Sequence, residues 1–297
     1  MSTARAQRVG VGAPGTAQPH EWLAGALQRI GRSAVAALYD ELALDPKPGL
    51  VSFVDSGSHD DMDARTFMRS LFALRHYFAR VARLGAVGAR FGRLEAEGID
   101  AEARMLKATG GINTHRGAIF SLGLLCASAG SLVARDQPVT PGSLRSTLLS
   151  RWGDALAARV PRLRRSNGQS ATRRHGLRGA GEEAALGLPV LFDIAVPAMQ
   201  RALNQGMDAR HARVQTLLHV IAALDDTNLA HRGGLAGLRF AQRAARDYLD
   251  AGGAARPDAL HHALVLHRIF VARRLSPGGA ADVLAAACWV QRVCGRR

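Results

Sequence analysis

The chain has 297 residues, 47% of them hydrophobic, and carries 39 Lys and Arg against 24 Asp and Glu, a formal charge of +15. A chain of this length buries a large core in one domain or two, and the lack of long β-branched runs makes helix the expected element. Only Lys47 and Lys107 are lysines, so 39 − 2 = 37 of the basic residues are arginine. That excess suits a polyanionic partner, either nucleotide phosphates or a nucleic acid. Cys126, Cys288 and Cys294 are odd in number and form no CxxC, which points away from a disulfide framework or a zinc site and towards a reducing cytoplasm. The N-terminus has Arg5 and Arg8 but no apolar stretch after them, so no secretory signal is expected.

Residues 1–17 are small and polar with scattered arginine and read as a flexible tail. Trp22, Ala26, Leu27, Ile30, Ala34, Ala37 and Leu38 then recur at helical spacing. That helix should end near Leu44, because Pro46 and Pro48 cannot continue it. Lys47 is therefore expected on a stiff loop between two prolines.

Next comes the acidic cluster His59-Asp60-Asp61-Met62-Asp63, followed by a helix whose stripe Phe67, Met68, Leu71 and Phe72 should be buried. One or two aspartates belong in a first helical turn for dipole reasons. A denser cluster repels itself unless a cation neutralises it, and magnesium takes oxygen ligands of this kind together with substrate phosphates.

Gly110-Gly111-Ile112-Asn113-Thr114-His115-Arg116-Gly117 separates an acidic helix from a long run of small apolar residues. Paired glycines allow a sharp turn and close approach of a ligand. Asn113 or Thr114 can cap the next helix, and His115 and Arg116 add donors at a helix start that favours an anion. An ordinary turn and cap accounts for the octapeptide equally well. Gly117–Ala134 is apolar enough to raise a membrane span, but its glycines, alanines and serines suit a buried central helix.

A helix over 141–158 precedes the basic segment 159–178, expected to be a mobile loop: a solvated stretch, a lid over phosphates, or an RNA contact without aromatic residues for stacking. Gly179-Ala180-Gly181-Glu182-Glu183 opens the next helix. Val214, Leu217, Leu218, Ile221 and Leu224 form a stripe leading into Asp225-Asp226-Thr227-Asn228, then His231-Arg232-Gly233-Gly234. Asp225 follows Ile221 by four residues and should point inward, where Asn228, Arg232 or a metal can partner it. His261, His262 and His267 lack HExxH spacing and read as surface or satisfied core residues. Ser276-Pro277-Gly278-Gly279 is good helix-start chemistry, with Ser276 as the cap, and its glycine-rich turn is also a place for phosphate.

Taken in order, these segments resemble the triphosphoribosyl-dephospho-CoA synthase family over residues 20 to 295. The motifs that carry the resemblance include Pro46–Gly49, Gly57–Met62, Gly110–Gly117, His175-Gly176, Gly179–Glu182, Asp225–Asn228 with Arg232–Gly234, and Ser276–Gly279 with Asp282. Val51–His59 and Arg116 look more like the malonate decarboxylase branch than the citrate lyase branch, which more often has lysine at the position of Arg116. The resemblance implies an enzyme joining ATP to 3′-dephospho-CoA, releasing adenine and forming 2′-(5″-triphosphoribosyl)-3′-dephospho-CoA. That product is the precursor of the prosthetic group of the decarboxylase's acyl-carrier subunit.

Such chemistry needs a grip on triphosphate, a base for the attacking hydroxyl, negative charge near an oxocarbenium-like centre and a proton for adenine. Lys47, Arg116, Arg232 and the glycine-rich turns at Gly110-Gly111 and Gly233-Gly234 suit triphosphate, with Asn113, Thr114, Asn228 and Ser276 as further substrate contacts. Asp60, Asp61 and Asp225 can hold Mg2+. Glu182 or one of those aspartates can take the hydroxyl proton, and His59 or His115 can donate to adenine. The expected architecture is all-α, a multi-helix globular bundle with motif loops gathered around one polar cleft, in a single catalytic domain over 18–297. Neither a membrane nor a nucleic acid is the expected partner, and a homo-oligomer is left open. Two other readings compete: a magnesium-dependent hydrolase of an ADP-ribosyl-type N-glycoside, and a basic RNA-binding helical module.

Overall fold

The computed structural model describes residues 19–160 and 176–295, and among them every regular element is helical. The tail expected over 1–17 and most of the basic segment 159–178 lie outside the described residues. The first six helices are α1 (Pro19–Leu42), α2 (Ala64–Leu74), α3 (Tyr77–Ala86), α4 (Phe91–Thr109), α5 (Arg116–Val133) and α6 (Pro141–Arg159). A short α7 (Ala180–Ala185) and a π-helical stretch (Val190–Ala195) lead into α8 (Val196–Asn204). The chain ends with α9 (Ala209–Ala223), α10 (Thr227–Asp250), α11 (Ala259–Ala272) and α12 (Gly278–Cys294).

The architecture turns on α5, which packs against α1, α3, α4, α6 and α12. It is the helix long and apolar enough for a bilayer, yet most of its length is buried in protein, as expected of a central core helix. Small residues let its neighbours come close. A side chain at Gly85 of α3 would meet the backbone of Ala127 at 1.9 Å, and one at Gly130 of α5 would meet the backbone of Ala82 at 2.0 Å. The two helices therefore touch backbone to backbone at two points about one helical turn apart on each. Ser121 and Ser128 do not disturb the interior, because each hydroxyl donates to the carbonyl four residues back in its own helix.

The stripe Val214, Leu217, Leu218, Ile221 and Leu224 is buried as its periodicity requires. Two other stripes are less complete. Trp22 is 49% exposed, and in α2 Leu71 is buried while Phe72 is 60% exposed. The buried face of α2 runs instead through Thr66, Ser70, Leu71 and Leu74, so two small polar residues replace the expected aromatic edge.

Gly130→Val is expected to lower stability by about 1–3 kcal/mol or more, since the new methyls have only the α3 backbone to displace. A urea titration unchanged from wild type would show that α3 and α5 have slack at this crossing.

Candidate active site

The loop after α1 folds inward. Lys47, expected on a surface loop, is 1% exposed, and its ammonium donates to Glu41 Oε1 at 2.6 Å and to the Glu41 carbonyl at 2.7 Å. Burial pulls the Lys47 ammonium below the ordinary lysine range, against the pull of Glu41 and Asp45 in the other direction. The Lys47 carbonyl meets His267 Nδ1 at 2.7 Å, and His267 Nε2 lies 3.1 Å from Asp55. His267 is thus a satisfied core histidine that pins the loop from both sides.

Three helix N-termini meet this loop, and buried carboxylates occupy them. Asp226, 1% exposed, caps α10 by accepting from the N–H groups of Asn228 at 2.9 Å and Leu229 at 3.3 Å. Its second oxygen accepts from Ala280 N–H at 2.9 Å in the first turn of α12. One side chain therefore joins two helix starts. Asp282, on the next turn of α12, lies against the start of α5, where the nearby Ala118 N–H favours its charged form. A side chain at Gly117 would lie 2.0 Å from Asp282 Oδ2, so only glycine leaves that carboxylate its place. Burial raises the pKa of both aspartates. For Asp282 the neighbouring Glu41 and Asp226 charges add to the rise, and for Asp226 the backbone donors oppose it. Asp282 as a residue is only partly buried, although its carboxyl is crowded by other carboxylates.

A second cluster forms the cleft's opposite side. Arg232 donates to Ser58 O at 2.9 Å and Arg274 O at 3.3 Å, and its other nitrogen lies 2.9 Å from His59 Nδ1. A guanidinium only donates, so Nδ1 accepts and the proton sits on Nε2, which donates to Ser276 Oγ at 2.9 Å. Burial and Arg232 lower the His59 pKa, while Asp61 at 3.5 Å opposes them. Ser276 was expected to cap α12; its hydroxyl serves His59, and Pro277 stands at the cap position without a side-chain bond.

His115 is buried at the foot of α5, with Nδ1 2.6 Å from Ser70 Oγ and Phe67 edge-on to its ring. Burial, with Lys47 nearby, pushes its pKa down to about 3, so it is neutral at physiological pH. Among the described residues, His115 Nε2 and Thr114 Oγ1 are buried without hydrogen-bond partners. Polar atoms in that condition cost stability unless a ligand or water meets them.

Other sequence candidates fall on the rim. Asn113 Oδ1 accepts from Arg116 N–H at 3.1 Å, the capping role expected of it. Arg116 itself pairs with Glu102 of α4, its Nε donating at 2.6 Å. Gly110 and Gly111 adopt positive φ with nothing within 4 Å of an added side chain, an open turn at the mouth of the cleft. Gly234 interrupts α10 with a non-helical backbone and is equally open, whereas Gly233 packs against Leu275. Asn228 lies beside Gly278 at the facing helix starts. Asp60 is 91% exposed and only 3.8 Å from Arg274, and Asp61 is 61% exposed.

Three expectations meet a different geometry. The inward carboxylate is Asp226 and not Asp225, because Leu224 leaves helical geometry and shifts the register by one. Asp225 is half-buried, accepts from Arg178 N–H at 3.2 Å and lines a cleft of about 300 Å³ beside Arg239, Arg243 and Arg246. Glu182 closes a capping box on Gly179 N–H at 2.7 Å, so its carboxylate is committed to the start of α7. Nor are Asp60, Asp61 and Asp225 preassembled as a metal cage: among the described residues no three His, Cys, Asp or Glu side chains gather around a point suited to an ion.

Glu41 and Asp282 carried readable signals that the site assignment left out. Glu41 continues the buried face of Ala34, Ala37 and Leu38, and Asp282 shares the face of Ala285, Ala286 and Trp289. A carboxylate on a core stripe needs a partner or a task.

The raised Asp282 pKa has a stability consequence with a definite sign. A folded-state carboxyl pKa above the unfolded value means that stability is lost as pH rises between the two. Asp282→Asn, which removes the charge and keeps the shape, should stabilise the protein by roughly 1–2 kcal/mol at neutral pH. The gain should shrink towards pH 4, where the wild-type carboxyl is protonated. Thermal unfolding at both pH values reads this out, and a variant less stable than wild type at pH 7 would contradict the electrostatic account.

The expected convergence of motif loops is thus present, since residues from 41–59, 115–118, 226–232 and 276–282 touch one another in a continuous set. No solved structure matches the chain. The sequence family described as ATP:dephospho-CoA triphosphoribosyl transferase (CitG) matches residues 27–296, nearly the whole chain. The chain belongs to that family, and is an enzyme that transfers a triphosphoribosyl group from ATP to dephospho-CoA.

Proposed function

We propose that the protein prepares the prosthetic-group precursor of a malonate decarboxylase acyl-carrier subunit, working in a reducing cytoplasm with magnesium and ATP. Support for the branch is the Val51–His59 segment and arginine at 116, both closer to malonate decarboxylase relatives than to the citrate lyase ones. The observation that carries the chemical reading is the Glu41–Asp226–Asp282 carboxylate cluster gathered where helix starts meet, with Arg232, His59 and Ser276 hydrogen-bonded beside it.

In the reaction the C1′–N9 bond of ATP breaks, the acceptor ribose oxygen bonds to C1′, and the hydroxyl proton is balanced by one delivered to adenine. Positive charge develops at C1′ in such a transition state. The carboxylates stand where they would offset it in a site of low dielectric, and their positions are held before substrate arrives. Asp282 is the proposed base. Its raised pKa increases its affinity for the hydroxyl proton, and unlike Asp226 it is not enclosed by backbone donors. His59 and Ser276 are the proposed hydrogen-bond donors that orient the departing adenine, with Arg232 holding the His59 tautomer that keeps the proton on Nε2, and the proton adenine takes up comes from solvent water. His115, neutral and buried, suits a hydrogen bond to substrate better than acid catalysis.

Magnesium is commonly held by one or two carboxylates plus substrate phosphates and retained waters, so a complete protein cage is not needed. Asp60 and Asp61, adjacent and exposed at the mouth, fit that requirement and would hold the ion against the triphosphate. The ion would neutralise phosphate charge there. Of the proposed phosphate contacts, Arg232 and Arg116 remain at the rim, Arg116 by exchanging Glu102 for phosphate. Lys47 acts from below as a fixed positive charge.

Mass spectrometry of ATP, Mg2+ and dephospho-CoA with purified protein should show adenine and triphosphoribosyl-dephospho-CoA in equal amounts. Adenine released equally well without the acceptor would establish a hydrolase instead. Asp282→Asn and His59→Gln should each lower kcat by at least about 100-fold. Asp60→Asn should raise the magnesium requirement with a smaller loss in kcat. Wild-type turnover in Asp282→Asn would remove it as the base.

A further inference from the structure

Beside the cleft, α2 and the end of α4 form an open groove of about 540 Å³ lined by Phe53, Met68, Phe72 and Ala108, with Arg65 and Arg69 at its edge. Phe53 is 50% and Phe72 60% exposed, with Tyr39 packed against Phe53 on one side. The groove adjoins the candidate site on both sides. Phe53 lies in the loop that carries Ser58 and His59, and Ala108 immediately precedes Thr109 and the open Gly110-Gly111 turn. Helix α2 is common to both places. Phe67 and Ser70 face His115, whereas Met68 and Phe72 face the groove.

Arginines at the edge of an apolar groove usually find carboxylates, but here the nearby acids are committed elsewhere. Asp63 caps α2 through Thr66, Asp61 faces His59, and Asp60 leans towards Arg274. Arg69 makes only a 3.2 Å bond to the Thr66 hydroxyl. The surface therefore offers apolar contact beside two arginines whose nearest carboxylate, Asp63, is already accepting from Thr66, next to the loops of the candidate site. One substrate of the reaction has the matching polarity: dephospho-CoA joins a long, uncharged pantetheine arm to a pyrophosphate, and the reacting ribose follows.

We propose that this groove is the acceptor subsite, with the pantetheine arm lying over Phe53, Met68 and Phe72 and the pyrophosphate meeting Arg65 and Arg69. The assignment rests on the transferase reading of the site. It makes these residues determinants of acceptor choice, distinct from the groups that act at C1′. Binding energy from the remote arm would then position the ribose hydroxyl, so acceptors lacking the arm should lose rate as well as affinity.

The test compares wild type with Met68→Ser/Phe72→Ser and with Arg65→Ala/Arg69→Ala, using dephospho-CoA and the armless acceptor ADP at saturating ATP. Thermal unfolding verifies that each variant is folded, and calorimetric titration with dephospho-CoA measures binding directly. Wild type should use dephospho-CoA at least about tenfold better than ADP. The serine pair should raise Kd and KM for dephospho-CoA by about tenfold, leave KM for ATP unchanged and erase the preference over ADP. The alanine pair should weaken both acceptors. Folded variants with wild-type dephospho-CoA binding, or with a matching rise in KM for ATP, would overturn the groove while leaving the transferase intact. A groove that instead serves a protein partner gives that same wild-type acceptor behaviour. Wild-type protein that binds dephospho-CoA but releases no adenine would remove the transferase reading and leave the binding data to judge the groove.

Discussion

Burying carboxylates at converging helix starts is the constraint on which the rest of this structure depends. An isolated buried carboxylate is costly, and the cost falls when oriented N–H groups meet its oxygens. Asp226 meets that condition fully, binding the first turns of α10 and α12 with both oxygens. Asp282 meets it in part through the start of α5, and Glu41 through Lys47. Asp226 and Asp282 bring together segments distant in sequence, and Glu41 holds the loop that follows its own helix, so the polar centre helps to organise the fold alongside the apolar core. Removing one partner would leave an unpaired charge inside, which is why these interactions act as a set.

The arrangement also sorts charge by depth. Carboxylates stand at the floor, compensated by one ammonium and by helix ends, while guanidinium groups ring the mouth. A substrate that is anionic at its phosphates and becomes cationic at its sugar carbon during reaction matches both layers. The glycine-rich helix starts at Gly117 and Gly279 looked like phosphate sites in sequence, yet aspartates already fill them. On the proposed reading phosphate goes to the outer turns at Gly110-Gly111 and Gly234, where backbone is open. Such a separation would keep the triphosphate away from the inner carboxylates, which would repel it.

Much of the fold was legible because helix caps, proline stops and apolar periodicity act locally. The central place of α5 could be read from its small residues, and the buried stripe of α9 from its spacing. Errors came where partners are non-local. Lys47 between two prolines looked exposed, but its ammonium finds Glu41 six residues earlier only because the chain turns back on itself. The aspartate pair at 225–226 was misread because one non-helical residue, Leu224, rotates the face by a position that periodicity cannot register. Phe72 had the spacing of a core residue, and only the placement of α4 decides that it lines a groove instead. Motif order pointed to the right family, whereas assigning roles within the motifs needed knowledge of which side chains were already engaged.

One sequence property serves both the scaffold and the chemistry. The small residues of α5 allow the α3 backbone to come against it at Gly130, which places the helix deep in the core. At its other end, the absence of a side chain at Gly117 admits the Asp282 carboxylate. A bulkier α5 would be a better helix by propensity and a worse one by packing, and it would push Asp282 off the helix start that holds it. The low side-chain volume of this segment is therefore set by two contacts at opposite ends of one rigid rod.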